Sequence, residues 1–173
     1  KIELIKENKS ILLSSAMRYG LSLGLFWIIK YVFFMLGNTT PAFTIIYWGM
    51  SLSVPFLAYF LTKRYRDDIG GNIGFFHAWQ FGILLYFFAA ILVSLLHFVY
   101  YKYIADPNLL SNAFIQTVQM MYDAGVDSQV LEKMKQINLT PIHMALQGIL
   151  NNVLYGVFLS IPVAAFCKRN EEW

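Results

Sequence analysis

Residues Gly74 to Tyr101 read GFFHAWQFGILLYFFAAILVSLLHFVYY. Between Phe81 and Leu96 there is no charged side chain. Wound as a helix rising about 1.5 Å per residue, the stretch outreaches the roughly 30 Å hydrocarbon core of a bilayer. Water cannot be the solvent for such a segment. The rest of the chain is therefore read as an all-α integral membrane protein.

The composition agrees. The 173 residues are 58% hydrophobic and 17% aromatic, and only 13% are charged, where a soluble domain carries about 25%. The length suits one membrane domain, 1–173, without a separate soluble enzyme domain. Cys167 is the only cysteine, which excludes an internal disulfide and a cysteine-based metal site. The first apolar stretch is too long for a signal peptide, and no small-residue cleavage site follows it. The basic residues are too few and too dispersed for nucleic acid.

Working outward from the central stretch, three more spans emerge. The first is expected over 11–36, after a charged lead-in, Lys1 to Ser10, that reads either as interfacial or as a frayed end. Arg18 sits near its start as an interfacial anchor. Lys30 lies within its apolar run, so it either snorkels to the interface or meets a functional partner. Gly37 to Thr40 is a tight turn, with Thr40 as N-cap and Pro41 at the first helical position. The second span is expected over 41–62, with Pro55 depriving the Ser51 carbonyl of its donor. Lys63 to Ile73 then reads as a polar turn in which Asp67 and Asp68 pair with Arg64 and Arg66. The central stretch, 74–101, is the third span and ends in an aromatic belt at Phe98, Tyr100, Tyr101 and Tyr103.

Residues 102–140 are too many for a structureless connection. Asp106-Pro107 reads as the start of one amphipathic helix, ended by Gly125. Asp127 or Ser128 caps another, carrying Val130, Leu131, Met134 and Ile137. Thr140-Pro141 opens the fourth span, 141–166, which Lys168 and Arg169 stop. The expected architecture is four transmembrane helices in two antiparallel hairpins, with two short amphipathic helices between helices three and four.

Charge orients this arrangement. One side holds Lys1, Lys6, Lys9, Arg18, Lys63, Arg64, Arg66, Lys168 and Arg169; the other holds Lys102, Lys133 and Lys135. The bias puts both termini in the cytoplasm. A weak repeat also shows. Leu52-Ser53-Val54-Pro55 and Leu159-Ser160-Ile161-Pro162 occupy spans that both open with Thr-Pro and close with a basic pair. The pattern reads as a parallel repeat or as convergence within a small apolar alphabet.

Small residues recur every fourth position, so that they share a helix face. Gly20 and Gly24 form one ridge, Gly82 belongs to another, and Gly148, Asn152 and Gly156 to a third. Such ridges let helix backbones approach closely.

Lys30, His97, His143, Gln147 and Asn151 all fall in the outer half. They read as interhelical hydrogen-bonding groups or as a polar cavity holding an anion. No Asp or Glu falls inside an expected span, which argues against a cation exporter. Hydrolase, metalloprotease and phosphate-loop motifs are missing. His97 and His143 lack a third metal ligand. No catalytic residue and no cofactor is assigned.

Gly74-Phe75, Ala78-Trp79 and Gly82 entering a span, Tyr100 to Ile104 leaving it, and then Asp106-Pro107 give the chain a family likeness. It resembles the four-helix membrane proteins of Bacteroidota grouped as domain of unknown function 4199, from about Ile11 to Arg169. The resemblance implies the inner membrane of a Gram-negative cell and supplies no catalytic residues. Two readings of function follow. One is a non-enzymatic accessory or scaffold subunit, packing against itself or a membrane partner. The other is a carrier or binder of an anionic lipid or amphiphile. Whether the chain is an enzyme stays open, with the balance against it.

Overall fold

The computed structural model describes residues 2–37, 40–106, 108–136 and 139–169. The elements in chain order are α1 (Ile2–Gly37), α2 (Pro41–Asp68), α3 (Phe75–Val99), a π-helical turn (Tyr100–Ile104), α4 (Leu109–Asp123), α5 (Ser128–Lys135) and α6 (Pro141–Cys167). Four segments are long and apolar enough to cross a membrane: Ser10–Gly37, Pro41–Asp68, Phe75–Ile104 and Pro141–Cys167.

The boundaries of α1 and α2 differ from the sequence reading. Helix α1 begins at Ile2, so the charged lead-in continues the helix rather than preceding it. Helix α2 runs through Lys63-Arg64-Tyr65-Arg66 and ends at Asp68. None of those four residues breaks a helix. The break comes at Gly70 and Gly71, whose φ values of 103° and 86° suit glycine. Asp67 and Asp68 thus close a membrane helix instead of lying in a loop.

Local capping explains the other ends. Thr40 has an extended backbone before Pro41, but its side chain makes no cap hydrogen bond; Asn38 and Thr39 of the expected turn lie outside the described residues. Asn108 rather than Asp106 is the N-cap of α4. Asp106 Oδ1 instead accepts the Asn108 N–H at 2.7 Å, and Pro107 lies outside the described residues. Gly125, with φ 81°, follows the end of α4. Asp127 caps α5 by accepting the Gln129 N–H at 2.7 Å; Ile137 lies outside the described residues.

The chain divides into two compact units, Lys1–Val93 with Ile149–Trp173, and Ser94–Gly148. In the first unit the helices meet at small residues. A methyl built on Gly20 would lie 2.6 Å from Phe88 Cβ, and one on Gly24 3.1 Å from Leu92 Cβ, so α1 and α3 touch through their backbones. Gly82 faces Ser160, and a methyl on Gly156 would lie 2.5 Å from Tyr86 Cβ, which joins α3 to α6. Tyr65 of α2 stacks on Phe81 of α3 with ring centres 4.0 Å apart.

Polar bonds finish this packing. Pro162 removes the donor for the Phe158 carbonyl, and beside that break the Trp79 indole N–H donates to the Val157 carbonyl at 2.9 Å. The Cys167 carbonyl accepts from Arg66 Nη1 at 3.4 Å. Ile73 and Arg169 exchange backbone hydrogen bonds of 3.1 and 3.0 Å, tying the α2–α3 connection to the end of α6.

The second unit contains α4 and α5, which pack on each other. Among the described residues, its buried apolar side chains are Tyr100, Val118, Leu131 and Ala145.

Candidate functional site

The π-helical turn starts a polar-lined concavity in the second unit. Here the Ala105 N–H reaches back five residues to the Tyr100 carbonyl at 2.8 Å. The wider turn changes the angle at which later side chains leave the axis, and such turns cluster at functional sites. Tyr101, Lys102 and Ala105 from this turn line a cavity of about 490 Å³. Leu110, Phe114 and Ile115 of α4 supply an apolar wall, and Lys135 of α5 closes the lining. The volume lies in the range of small-molecule sites.

The cavity is electropositive. Its lining has two cations, Lys102 and Lys135, and one carboxylate, Asp106. One oxygen of Asp106 is already engaged by the Asn108 N–H. The Lys102 ammonium lies 5.3 Å from the Phe98 ring centre and 5.2 Å from that of Tyr103, contacts that hold a cation without neutralising it. Lys135 pairs with Glu132 at 2.9 Å, but both side chains are exposed. Exposed pairs contribute about 0–1 kcal/mol, so an incoming anion competes on even terms. Apolar walls with free positive charge suit a molecule with one greasy and one anionic part.

The residues singled out by sequence lie elsewhere. The Lys30 ammonium is 5.3 Å from the Tyr47 ring centre and 5.7 Å from that of Trp27, within the first unit. His143 Nδ1 faces the Thr140 N–H at 3.2 Å and the Thr140 hydroxyl at 2.9 Å. It occupies the third helical position of α6 and works as the side chain of a capping box does. His97 lies beside Gly148. Gln147 and Asn151 are exposed on α6. Lys102 and Lys135, by contrast, entered the sequence reading only as outer charges. The missing signal is the π-helical turn, which no residue pattern announces.

A second polar group lies at the Asp68 end of α2, in the first unit. Asp68 Oδ2 accepts from Arg18 at 2.8 Å and from the Tyr19 hydroxyl at 2.5 Å. Next to it, the Tyr65 hydroxyl and His77 Nε2 are 2.8 Å apart. Asp67 pairs with Arg66 at 2.8 Å, as the sequence suggested, whereas Asp68 takes its partners from α1. The Arg18–Asp68 and Tyr19–Asp68 contacts join α1 to α2 and the Tyr65–His77 contact joins α2 to α3, so the cluster works as an interhelical tie. No group of three or more His, Cys, Asp or Glu side chains able to hold a metal occurs among the described residues.

Long apolar helices with interhelical polar ties define a multi-pass helical membrane protein. The model of the family described as Protein of unknown function (DUF4199) matches residues 18–169, and the chain belongs to that family. No curated protein and no solved structure matches the chain.

Proposed function

We propose that the protein is a non-enzymatic accessory subunit of the inner membrane that docks on a membrane partner through its α4–α5 region. Both termini lie in the cytoplasm, and the four apolar helices form two antiparallel hairpins. The charge bias supports the orientation, since Lys63, Arg64, Arg66, Lys168 and Arg169 share the terminal side. Contacts at both ends of the first pair support the hairpin: Gly37 lies against Thr44, and Arg18 bonds Asp68.

The observation that carries the docking role is the surface of α4. Ile115, Met120 and Tyr122 are each 64% exposed, on a helix that is not among the four membrane-crossing ones. Apolar side chains outside hydrocarbon mark an interaction surface. Photo-crosslinking amino acids at positions 120 and 122, activated in native membranes, test this. Adducts with another polypeptide are expected. Adducts with lipid alone would mean that α4 lies on the membrane and that the docking role is wrong.

A second reading is favoured by the cavity. With Lys102 and Lys135 in its lining, the second unit binds an anionic amphiphile. Replacing both by Gln is expected to abolish retention of such a molecule by the purified protein. Retention unchanged in that variant, and lost in Lys30→Gln, would return the site to Lys30.

A further inference from the structure

A separate groove lies in the first unit, where the two Pro-bearing helices meet. It has a volume of about 360 Å³ and is lined by Pro55, Phe56 and Tyr59 of α2 and by Pro162, Val163 and Phe166 of α6. The two triplets have the same spacing: a proline, the next residue, and the residue four after the proline. The Leu-Ser-x-Pro elements that recur in the sequence therefore meet at one place, each giving equivalent positions to one wall. Phe56 and Phe166 are 68% and 78% exposed, so the groove is open along its length. All six lining residues are predominantly apolar, and α2 and α6 are both long enough to cross a bilayer.

The end of this groove is strongly basic. Lys63 lies one helical turn past Tyr59, on the same face of α2. Lys168 and Arg169 follow Phe166 directly after α6 ends. Lys63 and Arg66 both lie within electrostatic reach of Cys167, the residue next to Phe166. Among the described residues, nearby acids do not balance these charges. Asp67 is taken by Arg66, and Asp68 by Arg18 and Tyr19. Lys63, Arg64, Lys168 and Arg169 have no carboxylate partner among the described residues.

We propose that this groove seats one anionic phospholipid of the surrounding bilayer, with an acyl chain along the proline-lined walls and its phosphate held by Lys63 and Arg169. From Lys63 to Pro55 the helix rises about 12 Å, which is room for much of an acyl chain. Basic pockets between membrane helices on the cytoplasmic side hold anionic headgroups for the same electrostatic reason. A zwitterionic lipid fits the walls but leaves the basic end uncompensated. The site is distinct from the cavity of the second unit and does not depend on the docking role.

The test uses the full chain, reconstituted in vesicles of equal phosphatidylglycerol and phosphatidylcholine and extracted in mild detergent. Native mass spectrometry then reads the retained lipid. Phosphatidylglycerol is expected in excess, at one molecule per chain. Lys63→Gln with Arg169→Gln is expected to cut its retention roughly 25-fold, about fivefold per charge, and to leave phosphatidylcholine unchanged. Both side chains are exposed and Gln keeps the Arg169 backbone bond to Ile73, so folding, followed by helical content and elution, should hold. Phe166→Ala is expected to weaken retention of both lipids.

Four outcomes would overturn the proposal. One is equal retention of the two lipids, which makes the groove an ordinary lipid contact. Another is a preference for phosphatidylglycerol that survives in the double variant. A third is full competition by water-soluble glycerol phosphate, which would leave the groove out of the binding. The last is a preference that appears only after Glu171→Gln with Glu172→Gln, which would make the chain's own acidic end the occupant.

Discussion

The two units are built by different means. In the first, tyrosines, a tryptophan and alanines are buried where glycines let backbones touch: Tyr19, Trp27, Tyr65, Tyr86, Ala89 and Ala90 are all below a tenth exposed. In the second, among the described residues, α4 and α5 contribute one deeply buried apolar side chain apiece, Val118 and Leu131. The first unit is held by backbone proximity that tolerates no added volume. The second rests on a few apolar contacts, caps and a cavity. The contrast is one of local stability, because elements with few buried apolar contacts open more readily than a closely packed core.

The strongest way to break that contrast is to add volume to the first unit. Gly156→Leu drives a side chain into the Tyr86 ring, whose Cβ and Cγ would lie 2.5 and 2.8 Å from the new Cβ. A cost of about 3 kcal/mol or more is expected, read as loss of the folded species on size-exclusion in detergent. Normal folding of this variant would show that α3 and α6 are not closely seated.

Leu131→Ala probes the other side. It removes a residue that is 3% exposed, and a loss of about 2–3 kcal/mol is expected. Hydrogen exchange should accelerate in α4 and α5 and stay unchanged in α1. Acceleration spread over every helix would mean that the two units do not differ in this way.

Smaller effects sharpen the picture. Trp79→Phe deletes the hydrogen bond to the Val157 carbonyl while keeping the ring. About 1 kcal/mol is expected, visible as faster exchange of α6 amides near Pro162. His143→Ala removes the acceptor for the Thr140 N–H; about 0.5 kcal/mol is expected, with fraying confined to the first turn of α6. Should this variant instead abolish retention of an anionic amphiphile, His143 would be a ligand-binding residue and not a cap.

The apolar segments were legible in the sequence because hydrophobicity is a local property, summed over about twenty residues. Helix ends were less so. The charges at Lys63 to Asp68 looked like a loop, yet charge alone does not stop a helix, and the chain turned only at Gly70 and Gly71. Ties between distant residues were hidden for another reason. Asp68 and Arg18 are both ordinary interfacial residues until folding places them 2.8 Å apart. The cavity was the least visible feature, since it depends on a π-helical turn at Tyr100–Ile104 that shifts Lys102 by backbone geometry. His143 could have been read correctly. It stands three residues after Thr140, the position from which a side chain returns to the N-cap.

The exchange of main-chain bonds between Ile73 and Arg169 has an evolutionary corollary. Peptide groups make this stitch, and every amino acid except proline carries both a donor and an acceptor there. Drift at either position leaves the stitch whole, so relatives can share it without sharing a single letter. A proline scan at positions 73 and 169 is the direct way to expose it.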